Sequence, residues 1–260
     1  MNQVLHITSR DNPALLRLRK LSSDSHAYRK TGSVWLEGDH LARAALQRGY
    51  APTLAVVTES GYADPVLQQL ADAAPRVLVV PEVLFKGLSG LESPAQIGFE
   101  MPHDGHAALR AGVDTVVLDR LQDAGNVGTI LRSAAAMDFR QIAALKGTAA
   151  LWSPKVLRAG MGAHFGLHLV EGLNPADLDA LQVPLVATSS HAEQMLHVVT
   201  LPTPCAWVMG HEGQGVQPEL MQRCALTVGI PQPGGEESLN VGSAAAVCLY
   251  ESARQRLSPP

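Results

Sequence analysis

The sequence predicts an α/β protein in which a small N-terminal α/β domain precedes a larger C-terminal one, built on a mainly parallel sheet with helices on both faces. Two patterns carry that expectation. Short runs rich in Val, Leu, Ile and Ala alternate with helical segments along most of the chain, as strands buried on both faces do. One stretch, Met101 to Gly112, breaks the alternation with Pro102, Gly105, Gly112 and an Ala-rich middle of no hydrophobic period, and reads as a linker. The expected division is 1–102, a linker at 103–112, and 113–260. A chain of 260 residues has room for both cores.

The elements follow from local signals. Pro13 to Lys20 sets Leu15, Leu16, Leu18 and Leu21 among basic residues in a short amphipathic helix pattern. Val34–Glu37 reads as a strand and Asp39–Arg48 as a helix closed by Gly49. Strand Leu54–Thr58, helix Asp64–Ala73, strand Val77–Val80, helix Glu82–Leu88 and strand Gln96–Met101 complete the first domain. Beyond the linker come strand Thr115–Leu118, helix Asn126–Met137, strand Gln141–Leu145, helix Pro154–Ala159, strand His168–Val170, helix Pro175–Leu181 and strand Leu185–Thr188. Strand Ala206–Met209, helix Pro218–Arg223, strand Leu226–Ile230 and a long helix Asn240–Arg256 close the chain. That last helix, apolar at Ala244 to Val247, suits a core element as well as an interface.

Composition excludes several classes. Hydrophobic residues make up 46% and charged residues 17%, so the chain is globular and not disordered. No apolar run reaches the ~18 residues of a membrane span, and Met1 to Pro13 lacks a secretory signal, so a cytoplasmic protein is expected. Cys205, Cys224 and Cys248 sit far apart among apolar residues and read as buried small hydrophobes. His103 and His106 have a metal-like spacing, yet with no further ligands they read as solvent-exposed, and no metal is expected.

A net charge of −4 argues against a protein that coats nucleic acid along its whole surface. The charge is uneven. Arg10, Arg17, Arg19, Lys20, Arg29 and Lys30 face only Asp11 and Asp24 within the first thirty residues, which leaves that arm at +4 and the remainder at −8. The arm is a solvated basic face or a set of phosphate contacts.

In parallel sheets ligands bind beyond the carboxyl ends of the strands, so the loops there are the places for function. Three are unusual. Asp119 to Arg132 reads DRLQDAGNVGTILR, with Gly125 for a turn, Asn126 as helix N-cap and Arg132 about two turns on. A plain cap contributes about 1 kcal/mol and needs no function, but Gly128 in the first turn costs helix propensity and hints at a close neighbour. Met209 to Val216 reads MGHEGQGV, which lacks the lysine of a phosphate loop and the spacing of a dinucleotide loop. Ile230 to Asn240 reads IPQPGGEESLN, a stiff turn joined to a helix N-terminus that offers free backbone N–H groups.

Taken in this order, GNVGTILRSAAAMDF, VMGHEGQGV and IPQPGGEESLNVGSAAAVCLYE resemble the three motifs of the SpoU, or TrmH-type, RNA ribose 2′-O-methyltransferases of the SPOUT class. SPKVLRAGMGAHF resembles the stretch between the first two, and residues 1–100 resemble the family's small RNA-recognition domain, so the resemblance covers nearly the whole chain. It implies a C-terminal trefoil knot, S-adenosylmethionine bound in the knot, and a homodimer. Composition could not have shown the knot, and the rule that chains are un-knotted points the other way. The family's cofactor contacts fall on Gly210, Ile230 and Leu239, with Thr188 and Ser189 beside them. Its catalytic and substrate positions fall on Asn126, Arg132, Glu212, Ser238 and Asn240.

A ribose hydroxyl is a poor nucleophile at neutral pH, so a methyltransferase must align it with the sulfonium methyl and assist proton loss. Arg132 is the family's proposed proton acceptor, although a guanidinium stays protonated and more easily orients a phosphate or stabilises a forming alkoxide. Glu212 and Asn126 would hold Arg132, while Ser238 and Asn240 would shape the pocket. The separate N-terminal domain favours ribosomal over transfer RNA. The competing readings are a transfer RNA enzyme and a catalytically silent RNA-binding protein; a nucleotide-binding enzyme would need a phosphate loop that is missing. The chain departs from the family pattern at Gly160 and Gly242, where Ser is common, and both read as small-for-small exchanges.

Overall fold

The computed structural model describes residues 2–105, 107–235 and 238–257. It divides into two compact units, Met1–Gly105 with Trp152–Phe165, and His106–Leu151 with Gly166–Pro260. The sequence reading keeps Trp152–Phe165 with the C-terminal domain; in the structure this segment clusters with the first unit, with Val156, Leu157 and Phe165 buried.

The first unit comprises β1 (Gln3–His6), α1 (Pro13–Ser23), α2 (Ala27–Thr31), β2 (Ser33–Glu37), α3 (Asp39–Gln47), β3 (Leu54–Thr58), α4 (Glu59–Ala63), α5 (Pro65–Ala71), β4 (Arg76–Val80), α6 (Glu82–Lys86) and β5 (Ile97–Pro102). Its sheet has the order β1-β4-β3-β5-β2, parallel through the first three strands and antiparallel at β5. Helix α1 starts where Asn12 accepts the Ala14 N–H at 2.9 Å and Pro13 takes the first helical position. It buries Leu15, Leu18 and Leu21, while Leu16 is exposed. The single helix expected over Asp64–Ala73 is a pair, α4 and α5. Asp64 precedes a proline, which disfavours helical geometry, and its extended backbone separates the two while its side chain caps Val66 at 2.7 Å. Strand β1 was not expected: four residues of mixed polarity carry no strand signal, and only the parallel edge of β4 recruits them.

Between Trp152 and Phe165, α8 (Pro154–Gly160) buries Val156 and Leu157 and packs against β2 and α1 of this unit. Gly160 lies so close to His164 that a Cβ would stand 2.4 Å from the imidazole Cε1. The exchange there is therefore not small-for-small in effect; with His164 buried, only glycine fits without a shift. Nor is His103 solvent-exposed: it is half-buried, with its ring 5.0 Å from that of Tyr28 and 5.2 Å from that of Trp152. His106 lies outside the described residues, among which no cluster of three or more metal-ligand side chains occurs.

The second unit contains β6 (Thr115–Leu118), α7 (Ala124–Ala136), β7 (Gln141–Leu145), β8 (His168–Leu173), β9 (Leu185–Thr188), β10 (Gln194–Met195), β11 (Ala206–Met209), α9 (Pro218–Gln222), β12 (Leu226–Gly229) and α10 (Val241–Leu257). Every pairing in its sheet is parallel, in the order β10-β12-β9-β11-β6-β7-β8. Pro175–Leu181 winds as a 3-10 helix and not as the expected α-helix. The core beneath one face of the sheet joins Val117, Ala143, Ala187 and Val208 to Leu178, Leu181 and Leu220. Helix α10 packs on α7, and a Cβ on Gly242 would stand 3.1 Å from Thr129 and from the Asn240 side chain, so this exchange too sits at a tight crossing.

Cys205 and Cys248 are buried, and burial pushes both thiols up to about 12. Cys224 is only half-buried, and burial raises it to about 11. Among the described residues no helix is long and apolar enough to cross a membrane.

Two members of the basic arm have partners inside the fold, and Arg29 donates to the Tyr28 hydroxyl at 3.2 Å. Arg17 donates to both carboxylate oxygens of Glu100 at 2.9 and 2.7 Å, and Ser33 Oγ donates to the same group at 3.0 Å. Glu100 is 5% exposed, so its charge depends on those donors. Arg17→Ala is expected to lower unfolding free energy by about 1–2 kcal/mol, less than for a fully buried pair because Arg17 is partly solvated. Denaturant titration of the variant against Lys30→Ala, which should be nearly silent, measures this.

Candidate active site

Strands β9, β11 and β12 are adjacent and parallel, so their carboxyl ends open on one edge of the sheet. The loops there enclose a cleft of about 370 Å³. Thr188 and Ser189 line it after β9, Gly210, Glu212 and Val216 after β11, and Ile230, Ser238, Leu239 and Asn240 after β12. All five residues expected to contact a cofactor, and three of the five expected catalytic ones, therefore share this cleft.

The loop after β11 folds back on itself. His211 and Gly215 exchange backbone hydrogen bonds of 3.0 and 2.8 Å, with Gly215 in the left-handed region at φ 66°. The returning chain passes so close that a Cβ on Gly210 would stand 2.3 Å from the Val216 nitrogen. Nδ1 of His211 accepts the N–H groups of Gly213 at 3.0 Å and Gln214 at 3.3 Å.

This loop is fastened to the end of β6. Asp119, fully buried, accepts the Gln217 N–H at 2.7 Å and the Gln217 side chain at 3.1 Å. Arg120 donates to both oxygens of Asp119 at 2.8 and 3.2 Å and to Gln214 Oε1 at 3.0 Å. Its backbone adopts φ 59°, and the hydrogen bond to Asp119 raises the guanidinium above its ordinary value. Sequence reasoning singled out none of Asp119, Arg120, Gln217 and His211. An acid directly after an apolar strand was the one available signal.

A second chain of contacts joins three loops. Glu212 accepts the N–H groups of Gln122 at 3.4 Å and Asp123 at 3.2 Å, and the side-chain amide of Asn126 at 3.3 Å. Asn126 Oδ1 in turn accepts from Asn240 Nδ2 at 2.9 Å, while Asn240 Oδ1 caps α10 by accepting from Gly242 at 2.9 Å and Ser243 at 3.2 Å. Burial works to raise the Glu212 carboxyl, but the backbone donors and Asn126 outweigh it and hold it below the usual glutamate range.

Two expectations need correction. Asn126 is not the N-cap of α7: the helix begins at Ala124 with Asp123 as cap, whose side chain accepts the Asn126 N–H at 2.7 Å. Asp123 reaches the orphan N–H three residues on, which leaves the Asn126 amide to link Glu212 and Asn240. Nor do Glu212 and Asn126 hold Arg132. Arg132 is exposed on α7, does not line the cleft, and makes no hydrogen bond or ion pair among the described residues. Six residues beyond Asn126, it projects about 120° away around the helix.

A parallel α/β unit with a glycine-rich cleft at its strand ends defines a small-ligand-binding enzyme class. Residues 114–250 match the model of the SpoU rRNA Methylase family, and the chain belongs to that family. It is 33% identical over 98% of its length, and 96% of the relative's, to an uncharacterized tRNA/rRNA methyltransferase of Synechocystis. It is 31% identical to the 23S rRNA (guanosine-2′-O-)-methyltransferase RlmB of Bordetella pertussis, covering 85% of this chain and 97% of that one. An AdoMet-bound rRNA methyltransferase from Sinorhizobium meliloti superposes with a TM-score of 0.86 at 27% identity, over 99% of this chain and all of that one.

Gly210→Ala is expected to displace the loop after β11, costing about 1–3 kcal/mol in stability as overpacking does. Calorimetry should also show weakened S-adenosylmethionine binding. Because the folded-state pKa of Glu212 lies below its unfolded value, its contribution is present above the ordinary glutamate range and lost as pH falls through the lowered value. Melting curves of wild type and Glu212→Gln should therefore differ at neutral pH and converge in acid.

Proposed function

We propose that this protein transfers the methyl group of S-adenosylmethionine to a ribose 2′-hydroxyl of ribosomal RNA. The observation that carries this reading is the cleft at the ends of β9, β11 and β12, bordered by the Glu212–Asn126–Asn240 chain, in a member of the SpoU rRNA methylase family. The names of its relatives point to the same chemistry on 23S rRNA.

The residues of the cleft suit this cofactor. Ile230, Val216 and Leu239 offer apolar surface, Thr188, Ser189 and Ser238 offer hydroxyls, and Gly210 lets the loop after β11 fold back tightly against its own start. Once bound, the sulfonium supplies an already activated methyl group. The protein then has to align the hydroxyl, exclude water and accommodate the lost proton. Asn126 and Asn240 fix the cleft's mouth, Glu212 anchors them, and Ser238 shapes the pocket. Arg132 acts as a cation toward the RNA, orienting a phosphate or stabilising the developing alkoxide.

The trefoil knot, the homodimer and a cytoplasmic location complete the proposal. Arg132 turns away from its own chain's cleft, and a second copy would give that orientation a use. The first domain, 1–102, joined by 103–112 to 113–260, would recognise the RNA, with Arg10, Arg19, Lys20, Arg29 and Lys30 as its phosphate contacts, Arg29 also bonded to Tyr28 and Arg17 partly committed to Glu100. The acidic remainder of the chain, at −8, confines the footprint to this arm and predicts a shallow dependence of affinity on salt.

The test incubates the protein with methyl-labelled S-adenosylmethionine and separate pools of unmodified ribosomal and transfer RNA. Label on a ribose of the ribosomal pool is expected; label only on transfer RNA would redirect the substrate assignment. Arg132→Ala is expected to lose at least about 2–3 kcal/mol of transition-state stabilisation while binding the cofactor as wild type does, since Arg132 does not line the cleft. Single-turnover rates and calorimetry together measure this.

A further inference from the structure

Two arginines of the first unit meet on one turn, and the fold gives neither an acceptor. The turn, Gly87 to Gly90, follows α6 and is fixed by the buried Leu88 side chain and by Ser89 Oγ, which donates to the Glu37 carboxylate and accepts the Leu91 N–H at 3.0 Å. Arg19 of α1 lies against one end, its Nε 3.4 Å from where a Cβ on Gly87 would stand. Arg158 of α8 covers the other end, both terminal nitrogens 3.6 Å from the corresponding position on Gly90. Helices α1 and α8 pack on each other, so neighbouring elements bring the two guanidiniums onto four consecutive residues. Both arginines are half-buried, and among the described residues neither side chain makes a hydrogen bond or an ion pair.

A guanidinium keeps its charge and has five N–H donors, so two of them packed on one turn repel each other and leave donors unused. An anion would relieve both costs. Glycine at both ends of the turn lets the planar groups lie directly on the backbone, and each presents a fork that matches two oxygens of a phosphate. Lys20, Lys86 and Lys155, one residue or one helical turn away along the chain, are exposed and extend the positive charge. A row of cations suits a polymer with a phosphate at every residue.

We infer that Arg19 and Arg158 form a phosphate site over the Gly87–Gly90 turn, taking a backbone phosphate of the RNA substrate. The inference rests on the reading of this protein as an RNA methyltransferase, and it gives a use to Arg158, which lies outside the basic arm.

Arg19→Gln and Arg158→Gln are each expected to weaken binding of an unmodified 23S ribosomal RNA transcript about three- to tenfold. Each should also lower the slope of log affinity against log salt by about one. Arg76→Gln, exposed at the far end of β4 from α6, is the control and should change neither. In turnover the KM for RNA should rise at unchanged kcat, because the site holds the substrate without touching the reacting atoms. Arg158→Lys keeps the charge without the fork and should recover part of the affinity. No Gln variant should melt below wild type, since each removes one of two repelling cations.

Wild-type RNA affinity in either Gln variant, or an equal loss in Arg76→Gln, would overturn the inference. So would a fall in melting temperature shared by Arg158→Gln and Arg158→Lys, which would make the arginine a packing residue. Failure of the wild-type protein to bind or methylate the transcript would instead overturn the RNA reading on which the inference stands.

Discussion

The Asp119 carboxylate sits at the end of β6 with none of its surface exposed, and a charge so placed is tolerated only where donors surround it. It has four. Two come from the adjacent Arg120 and two from Gln217, which lies 98 positions further along the chain. The loop after β11 has no regular structure of its own between Gly210 and Gln217 apart from the His211–Gly215 bridge. Its path is therefore set by where that carboxylate demands its donors, and the wall of the cleft is set with it.

Asn126 extends the same logic to the other loops. A side-chain amide is an uncharged group that donates from its nitrogen and accepts at its oxygen, and here it does both, giving to Glu212 and taking from Asn240. An aspartate in its place would face Glu212 with a like charge, and a leucine would leave Asn240 Nδ2 without its acceptor. The polar residues of the cleft thus include some that fix loops against each other, whereas Thr188 and Ser238 line it without such a link among the described residues.

The parallel sheet was legible because its strands are buried on both faces: Thr115–Leu118, Gln141–Leu145, Leu185–Thr188 and Ala206–Met209 have the bounds that their apolar runs imply. The two-residue strand Gln194–Met195 and the edge strand Gln3–His6 carry no such run, and long-range pairing alone makes them strands. Within the site, eight of the positions that the motif resemblance pointed to line the cleft, but their partners could not be read from it. A resemblance transfers positions, whereas Asp123 and not Asn126 caps α7 because of which oxygen reaches the Asn126 N–H, a matter of a single turn of backbone. Asp119 and Arg120 escaped for a related reason: an acid followed by a base reads as a solvated pair until a partner nearly a hundred residues away is known.

The separation of Arg132 from Glu212 bears on what the arginine can do. Had Glu212 paired with it, the carboxylate would have quenched the positive charge toward an anionic substrate and made deprotonation harder still. Instead Glu212 spends its acceptors on Gln122, Asp123 and Asn126, and Arg132 stands exposed without a carboxylate against it among the described residues. An uncompensated guanidinium draws in a phosphate and stabilises charge as it develops on an oxygen, both of which need the cation intact. A role as proton acceptor needs the opposite, a neutral guanidine. The arrangement of the three loops therefore supports an electrostatic part for Arg132 and leaves the proton to water or to the RNA itself.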